Sequence, residues 1–237
     1  MNLYELAFSC YIYNNFTTFN QTFTDFFSAI ENKLNLTDKK HRQLLISWLN
    51  KWGCRQFAIE YHNEASEIIA KWHAEVDLAI IPSEKALWEL DNRELEAIIP
   101  IYDSLVEKTA SQKAKRSGRQ LRISVGPTGA SKILFALRPE IAVPWDEAIR
   151  GGLGYDGRGA SYISYLLRIK ADIESLDIAC RKEGITLSEV PGIIGRADST
   201  LVQLIGEYHW MTQTRKLYPP ELPILSQWCK WAARPAP

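Results

Sequence analysis

The chain lacks the cysteine and histidine patterns that mark metal sites and disulfide frameworks. Its four cysteines lie far apart in 237 residues, so no C-x-x-C pair indicates zinc and no dense array indicates disulfides. Its four histidines show no H-E-x-x-H or other close ligand spacing. We therefore expect buried free thiols, no metal and no cofactor.

Long apolar runs are also absent. The N-terminal segment contains Glu5 and has no basic flank before an apolar stretch, which argues against a secretory signal. No window approaches the roughly 20 apolar residues that a membrane-spanning helix needs. The composition, 46% hydrophobic and 24% charged, is that of an ordinary globular chain. We expect a cytoplasmic protein, nucleoid-associated if it is prokaryotic, with no membrane partner and no obligate protein partner.

The net charge is zero, but the charge is unevenly distributed. Residues 1–107 carry 9 Lys/Arg and 16 Asp/Glu, residues 108–139 carry 8 Lys/Arg and no acid, and residues 140–237 carry 11 and 12. A local basic segment without acids suits a surface that follows the phosphates of a nucleic acid. Taken alone, the same segment is also typical of a solvated surface.

Apolar residues recur at helical spacing through most of the chain after residue 20, and the longest such pattern runs from Gly159 to about Gly184. Only the first twenty residues, rich in Tyr, Phe, Thr and Asn, have the composition of short strands. We predict a mainly α, two-lobed helical bundle, with one lobe over residues 1–110 and the other over 111–237, or one compact unit. Segment 109–120 is hydrophilic, and there a linker and a DNA-facing loop would look alike.

Residues 120–138, QLRISVGPTGASKILFALR, predict a helix, a glycine-rich turn and a second helix that ends near Arg138. Such a turn points backbone N–H groups outward at the start of the second helix, where the helix dipole adds partial positive charge. Gly126 and Gly129 lack a Cβ, so we expect a phosphate to approach the backbone closely, with Lys132 within one helical turn. The alternative is a plain αα-hairpin whose glycines only cap the helices.

The tripeptide Pro144-Trp145-Asp146 follows across a short turn. Pro144 suits the first position of a helix, which would place Asp146 in the first turn, where the dipole favours an ionised carboxylate. Loss of a base from DNA leaves positive charge on the sugar, and a fixed anion stabilises that charge while it orients or deprotonates water. The other interpretation of Asp146 is an ordinary helix-capping aspartate, which is commoner on position alone.

Residues 125–154, VGPTGASKILFALRPEIAVPWDEAIRGGLG, resemble the core of helix-hairpin-helix DNA glycosylases. In that family an L/V-x-G-V-G-x-x-x-A hairpin leads through an apolar helix to V/P-x-D. Gly126 and Ala130 match the hairpin positions, Asp146 matches the catalytic aspartate, and Arg150 stands where the family often has a basic residue. The resemblance implies a DNA glycosylase that flips a damaged or modified base out of double-stranded DNA and excises it.

Family members that also cleave the DNA backbone place a lysine two residues after the glycine matched by Gly126, where this chain has Thr128. Lys132 comes four residues later, and we expect it on a different part of the helix. The resemblance therefore implies a monofunctional hydrolase that leaves an abasic site without Schiff-base chemistry. The residues that we assign to DNA binding are Gly126, Thr128, Gly129, Lys132, Arg119, Arg122 and Arg150.

A glycosylase holds the extruded base between aromatic or apolar surfaces while it reads the polar edge of the base. Segment 151–161 contains five glycines and fits either the mouth of such a pocket or an inter-helix loop. We interpret as packing residues the aromatic side chains at helical core spacing, which are Trp48, Trp52, Trp72, Tyr162 and Tyr165. Our candidates for the base pocket are Trp145, Tyr155, Asp156, Tyr208 and Trp210.

The base that is removed does not follow from these residues. Oxidised and alkylated bases are usual substrates of the family, and the modified bases of phage genomes fit equally well, so repair and antiviral defence both stay open. Two other functions also stay open. One is a non-catalytic helix-hairpin-helix module that only binds nucleic acid, and the other is a helical interaction protein whose acidic N-terminal part complements its basic middle.

Overall fold

The computed structural model describes residues 1–114 and 120–232. The fold is mainly helical, with a small two-stranded sheet. A π-helical segment, Trp210–Thr214, continues the eleventh helix. The helices and strands in chain order are α1 (Leu3–Phe16), α2 (Phe19–Ala29), α3 (Lys39–Lys51), α4 (His62–Glu75), α5 (Asn92–Glu96), α6 (Ile98–Val106), β1 (Thr109–Ala114), β2 (Gln120–Ser124), α7 (Gly126–Leu137), α8 (Glu147–Leu153), α9 (Gly159–Lys182), α10 (Val190–Ile193), α11 (Leu201–His209) and α12 (Leu222–Ala232).

The first twenty residues are helical, so the expectation of strands there is wrong. A capping box starts α1, because the Asn2 side chain accepts from the Glu5 N–H at 3.0 Å and the Glu5 carboxylate accepts from the Asn2 N–H at 2.9 Å. Leu6, Cys10 and Tyr13 follow at helical spacing and are buried, and α1 packs against α11. This buried stripe and the cap outweigh the strand-like composition of the segment.

The strands lie instead on both sides of residues 115–119. β1 and β2 pair antiparallel, with Lys113 opposite Leu121 and Gln112 opposite Arg122. The prediction of a helix over residues 120–124 is therefore wrong; Leu121 and Ile123 alternate with polar residues at the period of two that a strand requires. β1 packs against α4, whereas most of β2 is exposed. The predicted lobe boundary after residue 110 falls inside β1.

The β-hairpin loops out between two helices that pack on each other, α6 and α7. At its base the backbone N–H of Val125 donates to the carbonyl of Lys108 at 2.7 Å. The Tyr102 hydroxyl on α6 donates to the carbonyl of Pro127 in the first turn of α7, at 3.1 Å. The chain thus has a helix, an inserted β-hairpin, a turn and a helix where we expected a helix, a turn and a helix.

Buried apolar side chains from both predicted lobes belong to one continuous core. Phe23 on α2 stacks on Phe135 of α7, with 4.7 Å between ring centroids, so the N-terminal helices pack directly on the helix that follows the glycine turn. The expectation of buried packing residues is confirmed for Trp48, Trp72, Tyr162 and Tyr165. The core therefore anchors α7 through Phe135, while the first residues of the helix are partly exposed.

Three of the four cysteines, Cys10, Cys54 and Cys180, are buried free thiols, as expected. Over residues 1–114 and 120–232, no group of three or more His, Cys, Asp and Glu side chains is arranged to hold a metal ion. In the same part of the chain, no helix combines the length and the apolar character needed to cross a bilayer.

Candidate functional site

A cavity of about 240 Å³ opens beside the first turns of α7 and α8. Its volume is below the roughly 300–1,000 Å³ of pockets that take drug-sized ligands, so it suits a single small ring system. Its aromatic lining consists of Tyr13, Phe19, Trp52, Phe135, Trp145 and Trp210. Its polar lining consists of Asn20, Thr128, Lys132, Asp146, Gln203 and Glu207.

Five of the residues singled out from the sequence line this one cavity: Thr128, Lys132, Trp145, Asp146 and Trp210. They come from three elements that are far apart in the chain: α7, the start of α8, and the π-helical continuation of α11. Trp145 is almost fully buried, and its indole N–H donates to the Tyr102 hydroxyl at 3.0 Å, so it forms a fixed wall.

The other three candidates for the base pocket are Tyr155, Asp156 and Tyr208. None of them lines the cavity, so assigning them to the base pocket is wrong. Tyr155 packs on the far side of Trp145, with 6.4 Å between ring centroids. Asp156 is exposed and accepts from the backbone N–H of Arg158 at 2.9 Å, a bond that lowers its pKa. Tyr208 is half-buried next to His209. Proximity to Asp146 or Trp210 in the sequence did not place these side chains in the cavity.

Asp146 is the N-cap of α8 and not a residue of its first turn, as Pro144 had led us to expect. Its backbone is extended, and its Oδ1 accepts from the Ile149 N–H at 2.8 Å. The Thr214 hydroxyl donates to Oδ2 at 2.9 Å and lies 3.1 Å from Oδ1. The carboxylate is thus held from two directions at the wall of the cavity.

The turn before α7 needs its two glycines for different reasons. Gly126 has φ +66°, a left-handed conformation that glycine adopts without strain. Gly129 is buried, and a Cβ there would lie 2.9 Å from Gln56 Nε2 and 2.9 Å from Val125 Cγ1. The expectation that Gly129 leaves room for a phosphate is therefore wrong, because Gln56 already occupies that space and donates to the Val125 carbonyl at 2.8 Å.

Lys132 lies on the same face of α7 as Thr128, and both line the cavity. The expectation that Lys132 occupies a different part of the helix is wrong, since residues four apart in a helix stand one above the other. The Lys132 ammonium group donates to the Trp52 carbonyl and lies 5.7 Å from the centroid of the Trp52 ring. Lys132 therefore faces the cavity rather than the outer surface of the turn.

The remaining predicted DNA contacts are Arg150, Arg122 and Arg119. Arg150 donates to the Thr128 hydroxyl at 3.1 Å and lies over the Trp145 ring at 5.5 Å, so it ties α8 to the first turn of α7. Arg122 is exposed on β2. Arg119 lies outside the described residues.

Sequence analysis missed Glu207, a second carboxylate in the lining. Its side chain is almost fully buried and pairs with Arg196, whose Nη2 lies 2.9 Å from Oε1 and whose Nη1 lies 3.2 Å from Oε2. Burial raises the pKa of Glu207, and Arg196 partly opposes that rise. An acid within the apolar sequence of α11, LVQLIGEYH, was the available signal.

Trp52 was interpreted only as a packing residue, and Tyr13, Phe19 and Thr214 were not considered. Trp52 does pack, since its ring lies 4.6 Å from that of Trp48, but another part of it lines the cavity. These residues belong to the site only because α1, α2 and α3 fold against α7 and α11. No local motif marks them.

Comparisons with protein-family models, with curated proteins and with solved structures give no match to this chain. Aromatic walls favour a planar ring, and Asp146 adds a carboxylate to the lining that is held by the Ile149 N–H and the Thr214 hydroxyl.

Proposed function

We propose that the chain is a monofunctional DNA N-glycosylase. It would flip a damaged or modified base out of double-stranded DNA and excise it, in base-excision repair or in defence against phage DNA with modified bases. One observation carries the proposal: Asp146, which matches the catalytic aspartate of the helix-hairpin-helix glycosylases, lines an aromatic cavity that also takes in Thr128 from the first turn of α7.

The packing of α6 on α7 supports a helix-hairpin-helix motif with an insertion. The bond between Val125 and Lys108 closes the base of the β-hairpin, so residues 109–124 interrupt the short turn that would otherwise join the two helices. The helix before the glycine turn is then α6, and residues 120–124, where we expected that helix, belong to the insertion. This arrangement explains why only the second helix of the motif was recognisable in the sequence.

The start of α7 suits a DNA phosphate. Among the described residues no side chain caps this helix, so the first N–H groups of its 12-residue length have no side-chain acceptor. Arg122, which is exposed on the strand that leads into this turn, adds positive charge within a segment whose sequence contains no acid. A phosphate at this turn would bring the attached sugar towards the cavity mouth, where Thr128 and Asp146 lie.

The proposed chemistry needs one fixed anion. The extruded base enters the aromatic cavity, the bond between sugar C1′ and the base nitrogen breaks, and positive charge develops on the sugar. Asp146 stabilises that charge and orients the water whose oxygen bonds to C1′, while the base leaves with a proton. Ile149 and Thr214 hold the carboxylate in place throughout, so little reorganisation is needed during the reaction.

The test is release of the free base. The protein is incubated with duplexes that carry different damaged and naturally modified bases, and mass spectrometry detects any free base. We expect Asp146→Asn to lose release by on the order of 10²-fold or more while it keeps duplex binding and stability, because asparagine caps a helix about as well as aspartate. Asp156→Asn, at an exposed aspartate outside the cavity, is the matched control. Unchanged release by Asp146→Asn would remove this residue from the mechanism.

A second candidate is a non-catalytic module that binds nucleic acid through the hairpin. One observation favours it: the bonds to Ile149 and Thr214 give Asp146 a complete structural role as an N-cap. Duplex binding that weakens with salt, with no base released from any modified duplex, would support this module and contradict the glycosylase.

A further inference from the structure

Glu207 and Gln203 lie one turn apart on α11 and form a polar wall in the otherwise aromatic cavity. Gln203 Nε2 donates to Glu207 Oε1 at 3.3 Å and to Asn20 Oδ1 at 3.2 Å. Both side chains are more than nine-tenths buried. Their hydrogen bonds fix which atoms remain available to a bound molecule.

The atoms left over in this wall are acceptors. A carboxylate accepts about four hydrogen bonds, and Glu207 receives two from Arg196 and one from Gln203, with only one of these three at Oε2. The Cys10 thiol and the Asn20 side chain also lie beside this carboxylate. The amide N–H groups of Gln203 are directed at Glu207 and Asn20, and within the described part of the chain no hydrogen bond ends on Gln203 Oε1. Acceptor capacity in the wall therefore remains at Glu207 Oε2 and Gln203 Oε1.

Stability alone is a weak reason for this arrangement. A buried ion pair contributes little net stability compared with apolar side chains of similar volume, since both charges lose their hydration. Glu207 nevertheless lines the aromatic cavity, whereas its partner Arg196 lines a separate cavity, and Gln203 lines both. The position of Glu207 therefore indicates a role in recognising what enters.

We infer that Glu207 and Gln203 select a flipped base that carries an exocyclic amino group, whose N–H donors they accept. The inference rests on the proposed function, since it concerns the same cavity. Adenine, cytosine, guanine and their modified forms present amino groups, whereas uracil and thymine present carbonyl oxygens at the corresponding edge. A carbonyl facing these two acceptors would leave buried polar atoms without partners, which costs more than a hydrogen bond gains.

The test measures binding rather than excision. In the Asp146→Asn protein, competition binding compares duplexes that differ only in one central base opposite an abasic spacer: cytosine against uracil, 2-aminopurine against purine, and guanine against hypoxanthine. We expect the amino-bearing member of each pair to bind about 10-fold more tightly or better, as a hydrogen bond to a charged group provides. Glu207→Gln should reduce each ratio markedly, because the amide accepts a weaker, uncharged bond.

The controls separate recognition from folding. Glu67→Gln removes the charge from another arginine-paired glutamate, on α4 and outside the cavity, and should leave the ratios unchanged. If Glu207→Gln does not fold, Gln203→Met keeps the Arg196 pair and removes one acceptor, and it should lower the ratios. Ratios near one in the protein with Glu207 intact, or ratios unaffected by these substitutions, overturn the inference.

The failure of this inference is distinguishable from that of the proposed function. Ratios near one together with base release that depends on Asp146 would overturn only the assignment of Glu207 and Gln203. Absence of both duplex binding and base release would overturn both.

Discussion

Thr214→Val removes the hydroxyl that holds Asp146 and preserves the shape of the side chain. The Thr214 hydroxyl lies 2.9 Å from Oδ2 and 3.1 Å from Oδ1, and the other bond to the carboxylate, from the Ile149 N–H, reaches only Oδ1. Without the hydroxyl, Oδ2 has no hydrogen-bond partner among the described residues, and only the bond from the Ile149 N–H to Oδ1 holds the carboxylate. The loss should therefore appear mainly in the rate of base release.

The expected loss in the rate of base release follows from the type of hydrogen bond that is removed. A hydrogen bond to a charged group contributes about 1.5–3 kcal/mol, and about 1.4 kcal/mol is a factor of ten in rate, so we expect a loss between about 10-fold and 150-fold. Losing this hydrogen bond should lower the free energy of unfolding by no more than about 3 kcal/mol. For a chain of this size, each kcal/mol lowers Tm by about 2–4 °C. Single-turnover base release and thermal unfolding measure the two effects separately.

The matched control is Thr212→Val in the same π-helical segment. The Thr212 hydroxyl donates to the backbone carbonyl of Tyr208 at 3.0 Å and does not contact Asp146. This variant should lose stability and release the base at the wild-type rate. If Thr214→Val also lowers Tm but releases the base at the wild-type rate, Thr214 only anchors the segment and the argument that it orients Asp146 is refuted.

Three further predictions concern the turn and the cavity. Borohydride should trap no covalent adduct between the protein and DNA, because the Lys132 amine is bound to the Trp52 carbonyl; an adduct that disappears in Lys132→Gln would contradict the monofunctional assignment. Arg122→Gln should lower the slope of log affinity against log salt by about 1, whereas Arg181→Gln on α9 should not change it. Gly129→Ala should destabilise the fold by about 1–3 kcal/mol in denaturant unfolding, since its Cβ would crowd Gln56 and Val125; unchanged stability would show that both can move aside.

The sequence predicted the residues of the site that lie close together in the chain. Thr128, Lys132, Trp145 and Asp146 fall within 19 residues of one another, and a helix followed by a capped helix brings such residues onto one side of the fold. The helical class was also predictable, because apolar residues repeat at the helical period through most of the chain. Both inferences rest on local periodicity and caps.

The rest of the cavity depends on contacts between distant segments. Glu207, Thr214 and Tyr13 lie at least 60 residues from Asp146 in the chain. Glu207 and Tyr13 reach the cavity, and Thr214 reaches Asp146, through helix packing that no local pattern encodes. Trp52 was assigned to packing because its spacing in α3 is that of a core residue, and it does pack. A large side chain at the edge of a core serves both purposes, so spacing alone cannot separate them.

The π-helical segment contributes two different side chains to the site. Trp210 lines the cavity and Thr214 binds Asp146, although the two residues are the first and last of the segment Trp210–Thr214. A π-helical turn widens the helix by one residue, which changes the directions of the side chains that follow it, and such turns are frequent at functional sites. Residues four apart face the same side of a helix, so the segment presents an aromatic wall and a hydroxyl donor together. Thr214 contacts the Asp146 carboxylate directly, which makes it the residue whose replacement most directly tests the role of Asp146.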